Sequence, residues 1–68
     1  MHVTAILTHA DEGGFTAFNP ETGTTSEGGS IDEALANLRE AVELYLEEFP
    51  MAARAAPLVT TLDIAVHA

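Results

Sequence analysis

The chain has 68 residues, which bounds it to a single domain spanning residues 1–68. It contains no cysteine, which excludes disulfides and thiolate metal centres. Eleven acidic residues against two arginines give a net charge of −9, so direct binding to nucleic acid or to an anionic membrane is not expected. With 47% hydrophobic residues the chain is too apolar for a disordered acidic tail, and with no long apolar run we expect a cytoplasmic protein.

Two β-strands are predicted before residue 20. Residues 2–9 are β-branched and apolar, which favours a strand. Gly13 and Gly14 follow, and paired glycines supply the positive φ angles that a tight hairpin needs. Residues 14–19 then predict a second strand antiparallel to the first.

A turn and a weaker third strand come next. Pro20 cannot donate to a sheet ladder, so the second strand should end there. Pro20 and Gly23 together are typical of a turn, with Gly23 in the left-handed region. Residues 24–27 predict a short, polar third strand.

A single amphipathic helix is the strongest prediction. Ser30 and Glu33 have the spacing of a capping box at a helix start. The apolar residues that follow recur at intervals of three and four, which indicates one helical stripe. They are Ile31, Ala34, Leu35, Leu38, Val42, Tyr45, Leu46 and Phe49. The helix should span residues 31–49 and end at Pro50.

The end of the sequence predicts a fourth strand. In residues 58–68, Leu62, Ile64 and Val66 alternate with more polar positions, which favours a strand with one buried face. The predicted fold is therefore α+β, in the order β-β-β-α-β. A right-handed crossover through the helix places the fourth strand beside the first, in a small mixed sheet of order 3-2-1-4 with the helix on one face.

The second sheet face has no predicted cover. Phe15 and Phe18 are three residues apart and therefore point to opposite faces of the second strand. Ile6 has the opposite parity to its apolar neighbours in the first strand. An uncovered apolar sheet face predicts self-association, so we expect a homodimer or homotetramer with Ile6, Phe15 and Phe18 as interface candidates.

Most of the chain, about residues 3–48, carries an ordered series of short motifs. They are a Gly-Gly-aromatic-x-Ala strand, a proline, spaced glycines, a capped helix start and a helix of the type "EAL-x-N-x-x-EA-x-x-LYLEE". The residues are Gly13, Gly14, Phe15, Ala17, Pro20, Gly23, Gly28 or Gly29, Ser30, Glu33, Ala34, Leu35, Asn37, Glu40, Ala41, Leu44, Tyr45 and Leu46. In this order the motifs resemble the HicB-like antitoxin family of toxin–antitoxin systems.

The resemblance implies a truncated ribonuclease-H-like fold and a partner. That partner is HicA, a small basic toxin that cleaves mRNA, whose active site the antitoxin masks in a type II toxin–antitoxin system. Many members carry a further DNA-binding domain; here we expect a short, stand-alone member. The candidate partner-binding residues are acidic: Asp11, Glu12, Glu21, Glu40, Glu43 and Glu47.

Two alternatives to the antitoxin stay open. The first is an oligomeric scaffold or regulatory module with a different partner. The second is a degenerate metal-dependent nuclease, for which Glu40, Glu43 and Asp63 are available although the first strand carries no acid. We expect no enzyme activity and no cofactor.

A further hypothesis is a metal site at one end of the sheet. If the first and fourth strands are parallel neighbours, His9 and His67 lie at the same end of the sheet, with Asp11 close by. Two imidazoles and a carboxylate could hold zinc. The simpler interpretation is that these are surface histidines at strand ends.

Overall fold

The computed structural model describes residues 1–50 and 57–66. Within them the chain forms three strands followed by one helix. These are β1 (Ile6–His9), β2 (Phe15–Asn19), β3 (Thr24–Gly28) and α1 (Ile31–Glu48). The strands form an antiparallel sheet in the order β1-β2-β3, and α1 packs across one face, mainly over β3 and β2. The prediction of a small α+β fold with one helix on one sheet face is confirmed.

The first strand is shorter than predicted because its partner strand is short. Asn19 is the last residue of β2, and Pro20 follows it. Ile6 pairs with Phe18, so by the same register residues before Ala5 have no residue of β2 opposite them. Thr4 bonds to side chains of the β2–β3 turn instead, as described below.

The predicted fourth strand does not form in the described residues. Residues 57–66 contain no strand or helix, and all ten are exposed; residues 67–68 lie outside the described part of the chain. The predicted order 3-2-1-4 is therefore not confirmed: among the described residues the sheet has the order β1-β2-β3 and ends at β1. Alternation of apolar residues gives a segment strand character, but pairing also requires the chain to return to the β1 edge. The ribonuclease-H-like topology depends on that strand and stays a prediction.

The hairpin between β1 and β2 confirms the predicted role of the paired glycines. Gly13 and Gly14 have φ angles of 98° and 80°. The Ala10 N–H donates to the Gly14 carbonyl at 3.0 Å, which closes the turn. A Cβ on Gly14 would lie 2.6 Å from the carbonyl oxygen of Gly28, so this position needs glycine for space as well as for φ.

The start of α1 has the predicted cap with one difference. The Ser30 hydroxyl accepts from the Glu33 N–H at 3.1 Å, as the N-cap of a capping box does. The Glu33 carboxylate accepts from the Gly29 N–H at 2.9 Å, one residue before the cap. The box therefore also fixes the chain between β3 and α1.

The core is small and lies between α1 and β2. Its buried apolar residues are Ala17, Ala34, Leu38 and Val42, and Leu7, Phe15 and Leu46 pack against them. Ile31, Tyr45 and Phe49 were predicted to share the buried stripe but are exposed. Strands of five residues span about 17 Å, whereas 18 helical residues span about 27 Å, so both ends of α1 extend beyond the sheet.

The helix ends one residue before the predicted position. Glu48 is its last residue, and the N–H of the C-cap Phe49 donates to the Tyr45 carbonyl at 2.8 Å. The rings of Tyr45 and Phe49 stack, with centroids 5.0 Å apart. In residues 1–50 and 57–66, no helix combines the length and the apolar character that crossing a bilayer requires.

Candidate functional site

The solvent-facing side of α1 carries a row of carboxylates. Glu40, Glu43 and Glu47 are spaced by three and four residues, so they share one helix face. That face lies opposite Leu38 and Val42, which are buried against the sheet. All three glutamates are exposed. The structure thus brings together three of the six predicted partner-binding residues; we call this row the acidic face.

Leu44, which the sequence analysis named only for the family resemblance, borders the acidic face. It lies four residues after Glu40 and three before Glu47, and its side chain is 56% exposed. An apolar residue outside the predicted buried stripe was the available signal. Arg39 sits beside the row, and its Nε lies 3.9 Å from a Glu43 carboxylate oxygen. Because both side chains are largely exposed, this pair neutralises little of the negative charge.

The remaining three predicted residues lie in two turns, away from the acidic face. Asp11 and Glu12 lie exposed in the β1–β2 turn. Glu21 lies in the β2–β3 turn, which is at the opposite end of an antiparallel sheet. One surface on this fold therefore cannot contain both turns and the acidic face without spanning the whole domain.

Glu21 has a structural task that the sequence analysis missed. Its carboxylate accepts from the Thr4 N–H at 2.8 Å and from the Thr4 hydroxyl at 2.6 Å. Asn19, which is fully buried, donates from its amide to the Thr4 carbonyl at 2.7 Å and also to Glu21. The Asn19 side-chain oxygen accepts from the N–H and hydroxyl of Thr22. We call these four residues the turn network.

The turn network changes the acidity of Glu21. The hydrogen bond from the Thr4 hydroxyl, and after it the one from the Thr4 N–H, lower the pKa of the Glu21 carboxyl below its ordinary value of 4.5. Both bonds favour the charged form. Glu21 is therefore an anion that ties the segment before β1 to the β2–β3 turn.

The outer face of the sheet carries the predicted apolar patch in part. Ile6 pairs with Phe18, and Phe18 pairs with Thr25, so these three lie side by side on the face away from α1. Phe18 is 38% exposed. Phe15, the third interface candidate, packs against the core on the opposite face, so it is not part of this patch. The exposed patch consists of Ile6 and Phe18 among threonines.

For the hypothesis of a metal site at His9, His67 and Asp11, the described residues show no assembled set of ligands. His9 is exposed, and its ring stacks on Phe15 with centroids 4.8 Å apart. His67 lies outside the described residues. Among residues 1–50 and 57–66, no three His, Cys, Asp or Glu side chains come together in a way that could hold a metal ion. Glu40, Glu43 and Asp63, named for the nuclease alternative, are all exposed.

An apolar groove of about 340 Å³ lies along the β1 side of α1. The helix contributes Leu35, Leu38, Val42 and Leu46, with Arg39 and Glu43 at the margin, and the segment before β1 contributes Met1, Val3, Thr4 and Ala5. We call it the β1 groove.

Comparison with known proteins finds relatives named UPF0150 proteins. The chain is 47% identical to one from Helicobacter pylori over 47 residues, which is 68% of this chain and 64% of that protein. It is 40% identical over 47 residues to one from Synechocystis, covering 68% of this chain and 65% of the relative. A second Synechocystis protein is 42% identical over 45 residues, covering 65% and 57%.

The chain spans less than two thirds of the length of each of these relatives, from 57 to 65%. The names of these relatives assign them no activity. They therefore relate the chain to a group of small proteins but do not indicate a function. No family model matches the chain, and no solved structure is significantly similar to it.

Proposed function

We propose that the protein is a HicB-like antitoxin that neutralises a small basic, mRNA-cleaving HicA-like toxin by masking its active site. It acts by binding and performs no chemistry of its own. The observation that carries the proposal is the acidic face, an ordered row of exposed carboxylates on a rigid helix.

The charge of the acidic face suits such a partner. A ribonuclease that binds RNA presents cations where the phosphates go. Glu40, Glu43 and Glu47 present carboxylates at fixed helical spacing, and a net charge of −9 steers a basic protein toward them. Binding of the acidic face there would block the surface of the toxin that binds RNA.

Leu44 adds a contact that charge alone does not provide. Interfaces owe much of their affinity to a few apolar residues that become fully buried, surrounded by a polar rim. Leu44 is exposed beside Glu40 and Glu47, so an apolar side chain borders the carboxylates. On this proposal the carboxylates set the association rate and Leu44 contributes to the lifetime of the complex.

The experiment begins with a tagged pull-down from the native cell, with the bound proteins identified by mass spectrometry. A small basic protein in near-equal amount is expected. Its RNA cleavage should be inhibited by the wild-type chain. Glu40→Lys together with Glu47→Lys should slow association by roughly tenfold or more at low salt and reduce its salt dependence, because two attractive charges become repulsive.

Glu27→Lys is the matched control. Glu27 is exposed on β3, and its side chain belongs to the outer sheet face, away from α1. Each charge reversal on the acidic face should therefore slow association far more than the single reversal at Glu27. Equal effects per charge would show that only net charge matters, and recovery of the chain alone would contradict the antitoxin proposal.

A second candidate is an oligomeric scaffold or regulatory module. The patch of Ile6 and Phe18 on the outer sheet face favours it, because an uncovered apolar sheet face is suited to association with a copy of itself. Recovery of only the chain itself in the pull-down would favour this candidate.

A further inference from the structure

Two features lack partners in the part of the chain that the structure describes. β1 pairs with β2 along one edge, and no described strand pairs with its other edge. Residues 57–66 form no strand or helix, and all ten are exposed. An unpaired strand edge is a template for another strand.

The sequence of residues 57–66 suits a strand with one apolar face. Its even positions include Leu58, Leu62, Ile64 and Val66, which are 100, 78, 74 and 85% exposed. Asp63 is the segment's one charged residue, and its odd position puts it on the opposite face of a strand. Such a strand can bury its apolar face and leave the carboxylate in water.

The β1 groove has the shape and chemistry to receive that face. α1 packs mainly over β3 and β2, and the groove lies between the helix and the segment that leads into β1. Leu35 and Leu46 are half-buried there and stay partly in water. A strand beside β1 would cover both and complete the sheet under the helix.

We propose that residues 57–66 of one copy add as a strand to the β1 edge of a second copy, with their apolar positions in that copy's β1 groove. The exchange is reciprocal and gives a closed two-fold dimer. It goes beyond the proposed function, because it requires no toxin.

The position of residues 57–66 favours a second copy over the chain's own groove. That groove is lined by residues of α1 and of the segment before β1, and none of residues 57–66 lines it. All ten residues are exposed. Within the part of the chain that the structure describes, their apolar side chains therefore have no cover from their own copy.

The first test measures molar mass by light scattering across a concentration series. The wild-type chain should give twice its mass of 7.2 kDa. Leu62→Asp should halve that value, because it puts a charge on the docking face. The variant keeps its own fold because Leu62 contacts no core residue. Thr61→Asp, an equal charge on the opposite face of the same segment, is the matched control and should stay dimeric.

The second test shows whether residues 57–66 occupy the β1 groove of their own chain or that of the other copy. One half of the protein carries labelled methyl groups, the other half is unlabelled, and NMR records only contacts between copies. Contacts between the methyls of Leu62 or Ile64 and those of Val42 or Leu46 are expected across copies. If these contacts are absent from the mixed sample but present in a uniformly labelled sample, they lie within one chain, and the exchange is overturned in favour of its own groove. A monomer, or a dimer equally stable with Leu62→Asp, would also overturn it.

Discussion

Asn19 is the only fully buried polar side chain described in residues 1–50 and 57–66, and its hydrogen bonds account for its burial. A buried amide costs free energy unless its donors and acceptor are paired. Asn19 donates to Thr4 and Glu21 and accepts from Thr22, and no described buried side-chain polar atom is left without a partner. The turn network thus holds the segment before β1 where no strand partner exists.

Thr4→Val should raise the pKa of Glu21 toward 4.5. The substitution removes the hydroxyl that contributes most to lowering that pKa and keeps the β-branched shape. A pH titration of the Glu21 carboxyl by NMR measures the change. Thr8→Val is the control, since Thr8 is exposed in β1 and has no described bond to Glu21. An unchanged Glu21 pKa in Thr4→Val would show that the hydroxyl bond is not made in solution.

The same pair predicts the direction of a pH effect on stability. A carboxyl with a lowered pKa in the folded state stabilises the fold above its unfolded pKa, and this contribution is lost as pH falls through the folded value. Wild type should therefore exceed Thr4→Val in free energy of unfolding at neutral pH. The difference should shrink as pH falls below 4.5.

At the scale of elements, the join between β3 and α1 depends on one glycine. A Cβ on Gly28 would run into the backbone of Glu33 and Ala34 in the first turn of the helix. Gly28 therefore lets the sheet approach the helix, where Ala34 is fully buried. Backbone atoms on both sides leave no flexible group to move aside.

Gly28→Ala should destabilise the fold by about 1–3 kcal/mol through overpacking. Gly29→Ala is the matched control, because a Cβ there meets nothing closer than the end of the Glu33 side chain at 3.8 Å. It should change stability by less than about 0.5 kcal/mol. Urea unfolding followed by circular dichroism compares the two. Equal losses would mean that the sheet and helix are not in close contact at this join.

The elements that sequence alone predicts well are those fixed by neighbouring residues. Gly13 and Gly14 in the hairpin, Ser30 at the cap and the opposite faces of Phe15 and Phe18 follow from local geometry. The acidic face followed from helical spacing. The turn network did not, because it joins Thr4 to residues 15 or more positions away, and such pairing leaves no local pattern.

The predicted fourth strand shows the converse limit, in which a local pattern is present but the pairing partner cannot be read from it. Residues 58–66 have the alternation of a strand, and the structure leaves them exposed and unpaired. Period-two hydrophobicity indicates that a segment can be a strand, whereas its partner is a matter of tertiary or quaternary contact. In the proposed exchange, the alternation of apolar residues correctly indicates a strand, but it carries no information about which copy that strand pairs with.

For the whole molecule, the size of the core makes association important to stability. In the part of the chain that the structure describes, four buried apolar residues, two of them alanines, form the core, while Leu58, Leu62, Ile64 and Val66 remain in water. A domain of this length buries a modest fraction of its surface, so a single chain is marginally stable. Pairing two chains would bury those apolar side chains as well.

Thermal stability should therefore depend on protein concentration. If unfolding is coupled to dissociation of a dimer, mass action raises the melting temperature as the total concentration rises. A tenfold increase should add on the order of 5 °C for two chains of this length. In Leu62→Asp, which cannot dock its segment, the melting temperature should be lower and independent of concentration, whereas Thr61→Asp should behave as wild type. Calorimetry over a hundredfold range distinguishes these cases, and a wild-type melting temperature that does not move would mean that the small core is sufficient by itself.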